Sequence, residues 1–340
     1  MAVEYKKEKQ RKAMESVNEK IKNWTPSLRR YFNNNFKSNQ TAATRYPTIK
    51  LFFEWLIKNG IINVSSLDQI TDQDLSFIKP GDLKEYLKCL KDGNGCKPNS
   101  NRTIRLKLRV IKSLWESLME DDIVNKNIVN RQMFKIYKEE NKNNAFASDA
   151  KIKIAKPKDL DEFINNMKKN ISNEFVLYRN ITIVELFLAT GIRKAELVGL
   201  DLTDVFPEKN MIMVMRKGNQ ETPSEIAVPK DMMDALMGYI SMRNKIGFAT
   251  NALFVSHRTG KRVGEETIRK FFEVYSGGKI TPHRLRDTYG CSIYADTGDI
   301  KLVQEQLGHA SVETTAKNYV MVDEERSIAA INSLSCWRFD

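Results

Sequence analysis

From Thr25 to about Tyr137 the apolar residues recur at helical spacing, and between 141 and 156, in "NKNNAFASDAKIKIAK", that period vanishes. This break constrains the fold more than any other feature. The first stretch must bury its apolar stripes by packing helix on helix. The polar, small-residue stretch predicts a linker, and a second unit begins after Pro157. Ahead of the helical stretch, residues 5–22 read as a charged helix with little apolar face. The expected organisation is a basic N-terminal arm at 1–24, a helical domain at 25–140, a linker at 141–156, and a second domain at 157–340 with a tail at 320–340.

Local signals fill in this outline. Thr25 before Pro26 suits an N-cap and first helical residue. "QTAATRYPTIKLFFEWLIKNG" (40–60) predicts a helix burying Leu51, Trp55 and Ile57 and ending at Gly60. In the second unit "FVLYRNITIVELFLAT" (175–190) is a strongly apolar helix stopped by Gly191. "NMIMVMRKGNQETPSEIAVP" reads as a β-hairpin, with a strand at 211–215, a turn at Gly218-Asn219 and a strand near 224–228. A further short strand is expected at "LFVS" (253–256). The fold class is therefore mainly α with a small antiparallel β-sheet: a helical N-terminal domain plus a mixed α+β domain.

Charge is unevenly spread. The chain carries a net charge of +12, of which residues 1–150 hold +10 and residues 151–340 only +2. The first half is the part suited to meet a polyanion. Its most informative segment is "PNSNRTIRLKLRVIKSLWESLMEDD", where Arg102, Arg105, Arg109 and Lys112 fall on one helical face. Ile104, Leu108, Ile111, Trp115 and Leu118 line an adjoining face, and no acid interrupts the basic stripe before Glu116. A solvated face usually mixes signs, so this one is a candidate contact to duplex DNA.

Other classes find little support. No apolar run reaches the roughly 18 residues a membrane span needs. The N-terminus has no stretch of signal-peptide type, so a cytoplasmic location is expected. The four cysteines are scattered without a CxxC and read as reduced structural thiols rather than a zinc site. There is no glycine-rich phosphate loop and no carboxylate cluster at metal-ligand spacing, so neither metal nor cofactor is expected.

The chemistry-bearing residues lie elsewhere. "ATGIRKAELVGL" supplies Arg193, with Glu196 one turn on, and the hairpin supplies Lys217. "TPHRLRDTYG" supplies His283 and Arg286, three apart near the start of a helix that Thr281 caps and Pro282 begins, a position that favours an anion. "LGHASVETTAKNYV" supplies His309, just past the helix 300–307 and its closing Gly308, and Tyr319 ten residues later. His257, in "VSHRTGKR", reads as structural.

In their order and residue types these boxes resemble those of the tyrosine recombinases, the phage-integrase family: "TGIRKAEL", "RKGNQE", "HRLR", "LGH" and then a tyrosine. The resemblance covers about 157–325, and the basic helical part matches the family's core-binding domain more loosely. Two positions depart from the common pattern: Asp287 stands where many members have a second histidine, and Gln220 where many have a second basic residue.

The resemblance implies a site-specific DNA recombinase that needs no ATP or metal. Tyr319 would attack a backbone phosphate, leaving a 3′-phosphotyrosine and a free 5′-hydroxyl. Arg193 and Arg286 would clamp the non-bridging oxygens. His283 would bond the phosphate and help move the tyrosine proton, Lys217 would protonate the departing oxygen, and His309 would donate to the phosphate. The implied partners are double-stranded DNA and three further copies, a homo-tetramer on two duplexes. Ile328, Ile331, Leu334 and Trp337 recur at helical spacing in the tail and suit docking either in cis or on a neighbouring protomer. Two other readings compete: a type IB topoisomerase-like nicking-closing enzyme, and a DNA-binding accessory protein without catalysis. Such an enzyme would serve integration or excision of a mobile element, or the resolution of dimers.

Overall fold

The computed structural model describes residues 2–34, 39–93, 98–138, 154–216 and 223–308. The chain divides into two compact units, one of residues 7–146 and one of residues 1–6 with 147–340.

The first unit is helical: α1 (Ala2–Ile21, of which residues 7 onward belong here), α2 (Pro26–Asn34), α3 (Asn39–Lys58), α4 (Asp72–Phe77), α5 (Pro80–Asp92), α6 (Asn101–Glu120) and α7 (Arg131–Ile136). The apolar face expected on α6 is buried throughout, with Ile104, Leu108, Ile111, Trp115 and Leu118 all fully enclosed. Ser100 caps this helix by accepting from the Thr103 N–H at 3.2 Å. Val17, Ile21 and Trp24, from the segment the sequence sets apart as an arm, are buried in the same core.

On α3 the structure buries a different face from the one expected. Ile49, Phe52, Phe53 and Leu56 are enclosed, while Leu51 is 40% exposed and Trp55 and Ile57 are only partly covered. "LFFEWLI" is apolar almost all round, so its period does not select a side. The neighbours do: Phe52 packs on Tyr86 at 4.9 Å and on Trp115 at 5.9 Å.

The second unit is mixed: α8 (Pro157–Asn170), α9 (Glu174–Thr190), α10 (Lys194–Gly199), β1 (Val205–Phe206), β2 (Met211–Val214), β3 (Ser224–Ala227), α11 (Lys230–Ile246), α12 (Glu265–Ser276), α13 (Pro282–Thr297) and α14 (Ile300–Leu307). The strands form one antiparallel sheet in the order β1-β2-β3, with Val205 opposite Ile212 and Ile212 opposite Ile226. Alternate residues point inward, so Ile212, Val214 and Ile226 are buried. The hairpin turn at Gly218-Asn219 lies outside the described residues.

The strand expected at 253–256 does not form. The segment makes one isolated bridge, Val255 with Arg262, next to another just before it, Asp201 with Ala252. Its backbone is nonetheless satisfied, the Leu253 N–H donating to the Leu200 carbonyl and the Val263 N–H to the Phe254 carbonyl, each at 2.9 Å. The apolar run is explained by burial, since Leu253, Phe254 and Val255 are all in the core.

α9 runs through the middle of this unit, buried on several sides at Phe175, Ile183, Val184, Leu186 and Phe187. Among the described residues no helix is long and apolar enough to cross a membrane.

Candidate active site

α9 ends at Gly191, which takes a φ of +58° and donates its N–H to the Phe187 carbonyl at 3.0 Å. A Cβ there would strike the Tyr289 ring and Leu307, so the chain can turn this tightly only with glycine. The turn delivers Arg193 to the N-cap of α10. Glu196, 7% exposed, accepts the Arg193 backbone N–H at 3.0 Å and the Arg193 Nη1 at 2.8 Å. One carboxylate thus fixes both the start of the helix and the aim of the guanidinium. The other terminal nitrogen, Nη2, donates to the Gly308 carbonyl at 3.0 Å.

α13 starts as its sequence predicts, with Thr281 Oγ1 accepting the Arg284 N–H at 3.2 Å and Pro282 in the first helical turn. Arg286 is 4% exposed. Its Nη1 donates to the Gly191 carbonyl at 2.5 Å and its Nη2 to the Leu307 carbonyl. His283 has different surroundings. Its side chain is 82% exposed, and Nε2 lies 3.9 Å from Asp287 Oδ2. Asp287, the departure from the family pattern, therefore stands one turn from the imidazole and on the same side of the helix.

A third guanidinium, absent from the sequence reading, completes the cluster. Arg216 is 9% exposed, and its Nη2 donates to the Gln306 carbonyl at 2.7 Å. Burial pushes its guanidinium below the ordinary range, Glu196 opposes that and Arg193 adds to it, yet an arginine stays charged under such conditions. One signal could have found it. The inward positions of β2 are Ile212 and Val214, and the same alternation carried two residues further puts a charge at an inward position. Tyr289 lies beside these groups, its Oη 3.4 Å from Gln306 Oε1. Burial raises its phenol above the ordinary range, with Arg216 and Arg286 opposing.

The three arginines converge on one place, the C-terminal turn of α14. Asp299 caps the start of this helix by accepting the N–H groups of Lys301 and Leu302. Gly308 closes it with a φ of +59°. The last carbonyls of a helix lack intrahelical partners and carry the negative end of its dipole. Here Gln306, Leu307 and Gly308 receive Arg216, Arg286 and Arg193 in that order. Lys217, His309 and Tyr319 lie outside the described residues, as does the tail. Arg216 and Gly308 immediately precede Lys217 and His309 in the chain.

In the helical unit the basic stripe of α6 is accessible in part. Arg102, Arg109 and Lys112 are exposed and Arg105 is half-buried, while Lys112 pairs with Glu116 at 2.6 Å. Leu106, 51% exposed, stands among them. His257 packs its ring 5.7 Å from Phe175.

The family model described as "Phage integrase family" matches residues 154–326, about half of the chain. The chain belongs to this family. Among tyrosine recombinases of the family, XerS from Lactococcus lactis subsp. lactis (strain IL1403) is 28% identical over 92% of this chain and 97% of its own length. XerC from Thermodesulfovibrio yellowstonii is 30% identical over 67% of this chain and 73% of its own. The fold is shared with a Tn1549 transposon integrase solved in complex with transposon right end DNA, at a TM-score of 0.63 and 16% identity over 95% of this chain and 99% of that one. It is also shared with a lambda integrase dimer bound to a core site, at 0.57 and 15% over 86% and 94%. The chain is thus a tyrosine recombinase, mostly helical with a small antiparallel sheet.

Proposed function

We propose that this chain cleaves and rejoins DNA at specific sites, with Tyr319 as the nucleophile and a 3′-phosphotyrosine as the intermediate. The observation that carries the reading is the convergence of Arg193 and Arg286 on the carbonyls of Gly308 and Leu307, one and two residues before His309. A guanidinium presents five N–H donors in a fixed fork, so one that is held by protein acceptors on one side can still present donors on another. A phosphate attacked by tyrosine gains charge as it passes through a phosphorane, and donors already aimed at it stabilise that state most. Arg193 and Arg286 clamp the non-bridging oxygens in this reading. His283, exposed and with Nε2 3.9 Å from Asp287 Oδ2, bonds the phosphate and takes part in moving the tyrosine proton. Lys217 gives the departing 5′-oxygen its proton and His309 completes the donor set. The covalent link conserves the bond energy, and a 5′-hydroxyl from a second duplex reverses it to recombine strands.

Relatives that align over nearly the whole chain favour the recombinase over a topoisomerase-like enzyme. The partner is double-stranded DNA, held in part by Arg102, Arg105, Arg109 and Lys112 of α6, and the working assembly is a homo-tetramer on two duplexes with C-terminal tails exchanged between protomers. A cytoplasmic location goes with this role. The test is a nicked suicide duplex carrying the target site: wild-type protein gives a covalent adduct and Tyr319→Phe gives none. An adduct that persists in the Phe variant, or no adduct with the wild type, refutes the assignment. Analytical ultracentrifugation of the protein with and without two-site DNA tests the tetramer, and deletion of 320–340 tests the exchange.

A further inference from the structure

Arg216 is not one of the residues by which the family resemblance is drawn, yet among the described residues of the hairpin it is a buried charge bonded to a distant helix end. Burying a guanidinium is costly unless its donors are satisfied, and an apolar side chain would fill the same space without that cost. Arg216 therefore needs a reason beyond packing, and three observations supply one.

The first is its acceptor. Nη2 donates to the Gln306 carbonyl, in the turn whose next two carbonyls hold Arg286 and Arg193. The second is a matched fit: the room that Gly308 leaves by lacking a Cβ is filled by the Arg216 guanidinium, so any other residue at 308 would collide with it. Glycine is already favoured there by φ, and Arg216 adds a steric demand for it. The third is charge. Arg193 and Arg216 act on each other as like charges, and Glu196 is the carboxylate that acts on both. Such a cluster is held together by the negative end of α14 and has cationic character in excess, the condition for taking an anion.

We propose that Arg216 is a positioning residue for the phosphate clamp, tying down the C-terminal turn of α14 so that its carbonyls hold Arg193 and Arg286 in their working orientation. This rests on the reading of those two arginines as the clamp. Without Arg216 the Gln306 carbonyl loses this donor, the turn is held less firmly, and the Gly308 carbonyl meets Arg193 Nη2 less well. Arg216 then acts on the reaction through other residues, without itself touching DNA.

The experiment compares Arg216→Met and Arg216→Lys with Arg193→Met in the full-length protein. Each is given nicked suicide duplexes bearing either the ordinary scissile phosphodiester or a methylphosphonate there. The methylphosphonate is neutral, so its transition state needs less cationic stabilisation and a damaged clamp matters less. Arg216→Met is expected to slow adduct formation on the phosphodiester by about 10–10²-fold, within the range for loss of one aimed donor or a misplaced group. On the methylphosphonate the deficit should shrink to about threefold or less, in parallel with Arg193→Met, while DNA affinity stays close to wild type. Arg216→Lys keeps charge and one donor direction and should give an intermediate deficit with the same relief. An equal deficit on both substrates, or none on either, overturns the proposal. Should Arg216→Met fail to fold by its melting curve, the Lys variant decides on the same criterion. If Arg193→Met itself shows no relief, the clamp reading fails, which is distinguishable from failure of Arg216's part alone.

Discussion

Glu196 tests the site most directly, because one buried carboxylate carries two bonds to one arginine. It accepts Arg193 N at 3.0 Å and Nη1 at 2.8 Å, with only 4% of its own side chain exposed against 31% for Arg193. Glu196→Ala removes both acceptors. Each hydrogen bond to a charged group contributes about 1.5–3 kcal/mol, and breaking a fully buried pair costs about 3–5 kcal/mol. The Arg193 guanidinium can reach water, so part of that loss is recovered, and a destabilisation of about 2–3 kcal/mol is expected. For a unit of this size that lowers the melting temperature by roughly 4–12 °C. Among the described residues the Arg193 guanidinium would keep its bond to the Gly308 carbonyl, and on the proposed reading a clamp group misplaced by about 1 Å costs up to roughly 10²-fold in rate. Glu196→Gln keeps the shape and one acceptor and should lose about 1–2 kcal/mol with a smaller rate effect. Circular dichroism melting and single-turnover adduct formation on the suicide duplex measure the two effects. A Glu196→Ala protein that melts within a degree of wild type and cleaves at an unchanged rate would refute the claim that this carboxylate aims Arg193.

Other outcomes follow from particular contacts. Gly308→Ala forces a Cβ onto the Arg216 guanidinium at a φ of +59°, and should cost about 1–3 kcal/mol in melting experiments while slowing cleavage more than DNA binding. Asp201→Ala removes the carboxylate partner of Arg262 Nη2 and leaves the guanidinium its Nη1 bonds to the Val198 and Leu200 carbonyls, and should destabilise the second unit by about 2–4 kcal/mol in urea unfolding. Tyr239 is buried with its Oη donating to the Leu253 carbonyl at 3.1 Å, and burial pushes its phenol up to about 12. The folded state therefore holds this proton more tightly than the unfolded state. Its contribution is intact below pH about 10 and is lost at up to about 1.4 kcal/mol per pH between about 10 and 12, a slope that Tyr239→Phe should remove from the alkaline unfolding curve. Arg109→Ala on α6 should weaken DNA binding at all sequences and reduce the salt slope of log K by about 1, with a smaller change for Lys112→Ala, which already pairs with Glu116; fluorescence anisotropy across salt concentrations reads both.

The sequence by itself determined what depends on near neighbours. Thr281 and Pro282 start α13, Gly191 and Gly308 end α9 and α14, and the basic and apolar faces of α6 separate as their spacing requires. These are contests within one or two helical turns, so the residues that decide them are adjacent in the chain. Where several answers were locally equal, the tertiary structure decided. The face of α3 was chosen by Tyr86 and Trp115, and the apolar "LFVS" segment was buried with one isolated bridge rather than as a strand because the Leu200 carbonyl and Arg262 were the partners at hand. The candidate site divides in the same way. The boxes holding Arg193, Glu196, His283 and Arg286 were legible as motifs, but their meeting point was not. Arg216, Arg286 and Arg193 come from three distant segments and find the carbonyls of Gln306, Leu307 and Gly308. A backbone carbonyl has no side-chain identity to read, and only folding brings the unsatisfied end of α14 to the charges that complete it.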